Sequence, residues 1–204
     1  MPTAPIEVAW TIRQGRTFRY VVRPETLPLI YKPITAITRS APVSLTLPSH
    51  GLASGWSVAV TNAGGMTEFN ATANKLRPSD FYPMTVVDSD TITINAIDSS
   101  GFKPYTSGGH VVFYTPISLA GAKARLDLRD KVGGTLLYQM SDTIGNIILD
   151  DATHAIGLTI PAADSALFDF STAVGDLEVE YSDGSVEELL RIEAELQREI
   201  TTSA

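Results

Sequence analysis

The chain has 204 residues, of which 44% are hydrophobic and 19% charged, with a formal net charge of −8 and no cysteine. This composition belongs to a folded globular chain, one large domain or two small ones, able to bury a core without metal or disulfide. It excludes disulfides, cysteine-ligated zinc, iron–sulfur clusters and thiol nucleophiles, and no stretch is long and apolar enough to span a bilayer.

In chain order, the opening stretch Met1–Trp10 has no basic segment leading into an apolar run, so no secretory signal is expected there. Phe18, Tyr20 and Val22 then alternate with Arg19, Val21 and Arg23. Such a period of two marks a half-buried strand, with successive side chains on opposite faces. Ile92 and Ile94 alternate with Thr91, Thr93 and Asn95, and Leu126 and Leu128 with Asp127 and Arg129. Leu177, Val179 and Tyr181 alternate with Glu178, Glu180 and Ser182. Turn signals punctuate these runs at Gln14-Gly15, Gly64-Gly65, Ser99–Gly101, Ser107–Gly109, Gly133-Gly134 and Ser182–Gly184. Short strands between Gly, Asp and Ser turns predict an all-β chain.

The segment Val186–Ile200 reads two ways. Its Glu, Leu, Arg and Gln content suits a helix, with Leu189, Ile192 and Leu196 on one stripe. Leu190, Ile192, Ala194 and Leu196 also alternate with Arg191, Glu193, Glu195 and Gln197. The Asp183-Gly184 turn after Leu177–Tyr181 favours a hairpin partner, but the pattern leaves both open.

Composition shifts within the chain. Residues 33–116, bracketed by Pro33 and Pro116, are rich in Thr, Ser, Asn, Gly and Pro, while the flanks hold most of the charge. This predicts a small domain at 33–116 inserted into a loop of a discontinuous domain formed by 1–32 and 117–204. Residues 1–32 carry five basic and two acidic side chains, whereas residues 175–204 carry two basic and nine acidic. An acidic chain without a broad basic tract is unsuited to nucleic acid. The arginines (Arg13, Arg16, Arg19, Arg23) are instead expected to meet the acidic end, within one subunit or between neighbours. Arg13, Arg19, Arg23, Glu178 and Glu180 are therefore the candidate assembly contacts.

Little in the sequence carries chemistry. His50, His110 and His154 are scattered, and there is no nucleophile elbow, Walker loop or dinucleotide fingerprint. Gly64-Gly65 reads as a tight hairpin turn. Asp88, Asp90, Asp150 and Asp151 lack the spacing of a calcium loop and read as turn residues. No catalytic residue, metal or cofactor is expected. Residues 33–116 also hold eight aromatic side chains: Trp56, Phe69, Phe81, Tyr82, Phe102, Tyr105, Phe113 and Tyr114. They read as the core of a small β-domain or as a sugar-stacking surface. A solvent-facing row of Trp56, Phe81, Tyr82 or Tyr105 would favour the second.

The flanks together resemble a small β-domain of tailed-bacteriophage structural proteins, related to the N-terminal domain of baseplate upper proteins. The matching residues are Gln14–Phe18, Ser118–Leu126, Gly145-Asn146-Ile147, Leu158–Pro161, Gly175–Glu178, Asp183–Val186, Leu189-Leu190 and Glu199–Thr201. Ala120 stands where the family pattern has Thr and Gly175 where it has Tyr, and a Gly near Glu193 is missing. The middle block resembles a small β-barrel of phage tail and fibre proteins, likened to the first catalytic-cysteine half-domain of ubiquitin-activating enzymes. Here the matches are Pro33–Thr38, Ser49–Leu52, Gly55, Gly65–Asn70 and Tyr105–Gly109. Without cysteine, ubiquitin chemistry is not implied.

These resemblances imply an antiparallel, Ig-like β-sandwich with an inserted small β-barrel. They also imply a non-enzymatic virion protein, made in the bacterial host cytoplasm and assembled in the tail baseplate or tip. Its partners would be other tail or baseplate proteins and further copies of itself in a ring, without nucleic acid or membrane insertion. A receptor-binding module for host surface glycan and a capsid decoration protein are the alternatives.

Overall fold

The structure, a computed structural model, describes residues 5–72 and 75–200. It is all-β, and the chain separates into two compact units, residues 1–24 with 117–204 and residues 25–116. Among the described residues no helix is long and apolar enough to cross a membrane.

The outer unit begins with β1 (Ile6–Arg13) and β2 (Phe18–Val22). The chain leaves this unit at Pro24 and returns at Ile117, whose amide donates to the Pro24 carbonyl at 3.0 Å. An insertion needs loop ends this close. The inserted unit holds β3 (Glu25–Pro33), β4 (Ala36–Thr38), β5 (Val43–Thr46), β6 (Ser57–Thr61), β7 (Tyr82–Val86), β8 (Thr91–Ile94) and β9 (His110–Pro116). Residues 25–32, expected in the outer domain, belong here because β3 pairs with β9 from Glu25 opposite Pro116 onward.

These strands form one seven-stranded sheet in the order β3-β9-β6-β7-β8-β5-β4. Its edge strands β3 and β4 are joined only by Ile34 and Thr35. The Ile34 amide donates to Gly109 on the β9 side at 3.1 Å, and the Thr35 amide to Thr46 on the β5 side at 3.0 Å. A sheet whose two edges are bridged by so short a link must curl upon itself, giving a barrel-like body. Inside lie Val43, Leu45, Leu47, Trp56, Val58, Met66, Met84, Ile92, Ile94 and Val111.

The returning chain forms β10 (Lys123–Arg129), β11 (Leu136–Ser141), β12 (Ile147–Asp150), β13 (Ala155–Ile160), a one-turn helix at Ala162–Ala166, β14 (Thr172–Glu180) and β15 (Val186–Gln197). A five-stranded sheet, β1-β15-β14-β10-β11, and a three-stranded sheet, β12-β13-β2, share one core. That core includes Trp10, Ile12, Leu126, Leu128, Met140, Ile156, Leu158, Leu177, Val179 and Ile192. Trp10 of one sheet meets Phe18 and Tyr20 of the other, with ring centroids 4.8 and 5.5 Å apart.

β15 resolves the ambiguity of Val186–Ile200. Leu190, Ile192, Ala194 and Leu196 are buried while Arg191, Glu193, Glu195 and Gln197 are exposed. Burying each Leu or Ile is worth roughly 1.5–3 kcal/mol. A helix-propensity advantage of at most about 0.7 kcal/mol per residue does not match that. β15 also has ladder partners on both sides, β14 antiparallel and β1 parallel. The β1–β15 pair is the one parallel pairing among the described strands.

Candidate functional site

The outward face of the five-stranded sheet is densely charged. Strand register sets Arg125 opposite Glu178 and Lys123 opposite Glu180. Both are ion pairs: Arg125 Nε donates to Glu178 at 2.6 Å, and Lys123 lies 3.4 Å from Glu180. Arg129 pairs with Asp127 at 2.7 Å, and Arg191 with Glu188 at 3.0 Å. Exposed pairs of this kind contribute only about 0–1 kcal/mol each, so their effect is on register and surface pattern. Bonding to Glu178, then its charge, holds the Arg125 guanidinium above its usual range. Asp176 lies among carboxylates: partial burial first, then Glu178, Glu188 and Asp127, raise its pKa above the ordinary aspartate range.

The two charged ends of the chain meet, but not as expected. β1 lies along β15, with Arg13 opposite Gln197, and the β1–β2 turn at Gly15 lies beside the Glu199 carboxylate. Arg19 falls in the other sheet, because β2 pairs with β13 and places it opposite Thr159, and Arg23 lies just past the end of β2. Glu178 and Glu180 take their cations from β10, so the expected side-by-side rows of arginine and glutamate are absent within the chain. Alternation gave the right face for each residue but not which strands pair.

The candidate exposed aromatics turn inward. Trp56 is 2% exposed, in the core of the inserted unit. Tyr82 and Tyr105 are half-buried and pack against that core. The Tyr105 hydroxyl donates to the carbonyls of Ile34, at 3.0 Å, and Gly108, at 2.9 Å. Phe81 is half-buried and stacks at 5.3 Å on Tyr114. The four do not form a solvent-facing row.

The remaining singled-out residues are structural. His50 is buried, accepting the Leu52 amide at Nδ1 (2.9 Å) and donating from Nε2 to the Asp88 carbonyl (2.8 Å). Gly64-Gly65 is a close backbone approach to the strand-like segment 104–107, and not a hairpin turn: Gly64 and Ser107 form a bridge. Asp88 and Asp90 hold the turn before β8 and the amide of Ser49. Asp150 closes its own turn on Ala152 and Thr153. Asp151 reaches across to the returning chain, accepting from Ser118 Oγ at 2.9 Å and the Leu119 amide at 2.6 Å. Those two bonds, the hydroxyl's first, hold its carboxyl below the usual range. Among the described residues, no three His, Asp or Glu side chains are grouped to hold a metal ion.

Sequence reasoning missed the outward face of the β2–β13–β12 sheet, where Val21 and Ile148 are exposed on either side of Gly157. The signal was a single glycine inside the otherwise alternating run Ala155–Ile160. No protein-family model matches the chain, and neither does any curated protein.

Proposed function

We propose that this chain is a structural, non-enzymatic component of a tailed-bacteriophage virion, assembled in the tail baseplate or tail tip, where it holds neighbouring tail proteins or fibres. It is made in the host cytoplasm and works as one of several copies. The sequence support is the order of the two sets of motifs, which together run through both units. The geometric observation that carries the reading is the inward turn of the inserted unit's aromatics. Trp56 serves as core, and Tyr82, Tyr105 and Phe81 pack or bond within the fold. A glycan-stacking platform needs such rings facing solvent. Their use as core favours assembly over receptor binding. What the outer unit offers a partner is open sheet faces and paired surface charge, the material of protein–protein contacts.

The test is on particles. An antibody raised against the purified chain should decorate the tail end of purified virions encoded by the same genome, seen by immunogold electron microscopy. Mass spectrometry of those particles should contain the chain in several copies. Label confined to the head would mean capsid decoration, and absence from the particles would overturn the proposal.

A further inference from the structure

The five-stranded sheet ends in two strands that are finished differently. At β11 the edge is tied up: the Asn146 side chain accepts from the Ser141 amide at 2.8 Å and donates to the Gln139 carbonyl at 3.2 Å. At the other end β1 runs eight residues without Gly, Lys or an internal Pro, and its pairing with β15 has no register shift. Such blocks are how native sheets keep an edge from pairing, because a bare one is a template for another strand.

Which groups β1 leaves open follows from its ladder. The Gln14 amide donates to the Gln197 carbonyl at 2.9 Å, and Gln197 stands opposite Arg13. A parallel ladder bonds a residue to the neighbours on either side of its partner, so Ile12 and Gln14 face β15. Alternation turns Val8 and Trp10 the same way and sends the N–H and C=O of Glu7, Ala9, Thr11 and Arg13 to the open edge. The Arg13 carbonyl accepts the Arg16 amide at 3.1 Å; among the described residues the backbone groups of Glu7, Ala9 and Thr11 have no partner. The side chains of the same four residues are exposed, while Val8 is half-buried and Trp10 and Ile12 are buried.

We propose that β1 pairs antiparallel with β1 of a second copy of the chain, about a two-fold axis perpendicular to the sheet at Trp10. The two five-stranded sheets become one of ten strands. Charge selects this occupant and this register. With Trp10 opposite the partner's Trp10, Glu7 faces the partner's Arg13, and the two-fold makes that contact twice. Opposed residues of an antiparallel pair have Cβ atoms about 4.5–5.5 Å apart, within reach of an ion pair. Glu7 and Arg13 enter none of the ion pairs among the described residues. Arg191, which stands opposite Glu7 on β15, is taken by Glu188. The same register lets Ala9 and the partner's Thr11 exchange hydrogen bonds through the groups that face the edge, and sets Val8 against the partner's Ile12 on the inner face. A slip by one residue would set core side chains against solvent-facing ones. A slip by two in either direction parts Glu7 from Arg13.

One strand pair covers much less than the roughly 800 Å² per partner of a standard interface, so the dimer is weak alone and gains strength within a larger assembly. The inference goes beyond the virion reading and does not rest on it. Its test reads only the purified chain, so the two can fail separately.

Sedimentation equilibrium of the full chain should show the average mass rising from 21.9 kDa toward twice that value, between about 10 μM and about 1 mM protein. Glu7→Arg and Arg13→Glu, each at an exposed position, should each weaken self-association at least about tenfold, because two attractive pairs become two repulsive ones. The double variant should restore it. Ala9→Pro removes an amide that only the partner uses, so it should abolish association with the thermal melt retained. Circular dichroism confirms folding of every variant. In hydrogen exchange followed by NMR, the Ala9 and Thr11 amides should gain protection as concentration rises, while the Trp10 amide is protected throughout. A wild-type chain monomeric at about 1 mM, single reversals that associate normally, a double variant no better than the singles, or association that leaves the Ala9 and Thr11 amides unprotected would each overturn the proposal.

Discussion

Replacing Trp56 with alanine separates the core reading of the inserted unit's aromatics from the sugar-binding one. The indole is 2% exposed, within a core that includes Val43, Leu45, Val58 and Met84. Truncating so deeply buried an aromatic costs about 3–5 kcal/mol, from lost transfer energy plus the cavity left behind. Total stabilities run to about 5–15 kcal/mol, so this is a large part of what the inserted unit has. For a unit of this size each 1 kcal/mol moves the midpoint by about 4–8 °C, so its melting should fall by roughly 15–30 °C. Trp56→Phe keeps a ring in place and should lose less than half as much. Scanning calorimetry of the full chain is the assay. Trp10, the other tryptophan, sits in the outer unit's core and gives that unit its own fluorescence signal. The outer transition should hold while the inner one drops. A Trp56→Ala midpoint within about 5 °C of wild type would refute the burial argument, and more so if glycan binding were lost alongside.

Replacing residues 25–116 with a short Gly/Ser linker should leave a folded outer unit, since Ile117 already bonds to Pro24; loss of dispersed amide signals in proton NMR would contradict this. Gly65→Ala should destabilise the inserted unit by more than about 1–3 kcal/mol in denaturant titration, because its φ is +78° and a Cβ would fall 2.2 Å from the Pro104 carbonyl. Asp176→Asn should raise stability at neutral pH. The folded carboxyl's pKa is raised by burial and neighbouring acids, so its ionised form opposes folding. That opposition is absent below the unfolded pKa of about 3.9 and grows as pH rises through the folded value. The gain should therefore vanish in melts run below about pH 4; an equal gain at both pH values would count against the charge argument.

The sequence made the faces of its alternating runs legible and left the pairings hidden. Alternation placed Leu177 and Val179 inward with Glu178 outward, and Phe18 and Tyr20 inward with Arg19 outward, as found. Pairing is a long-range property, and nothing near Arg19 records that its neighbour is Thr159. β3 was not among the runs read as strands, since Pro28 and Pro33 interrupt it. The strand accommodates them at an edge of the sheet, with its register shifting between Thr26 and Leu29. Trp56, after Gly55, sits in no alternating run, so its side could not be read.

The order in which these strands become available has its own consequence. β1 finds its neighbour only in β15 and β2 only in β13, while the whole inserted unit, residues 25–116, is complete in sequence before any strand of the returning chain exists. During synthesis the inserted unit can therefore fold as a finished body, with its edge strands β3 and β4 adjacent in sequence. β2 must wait, unpaired, until β13 emerges, and β1, apolar on one face, until the last strand does. Contacts of such long sequence separation form slowly. The outer sandwich thus closes as a late event, and the exposure of Trp10 and Ile12 during that interval is the chain's main opportunity to aggregate or to be held by a chaperone.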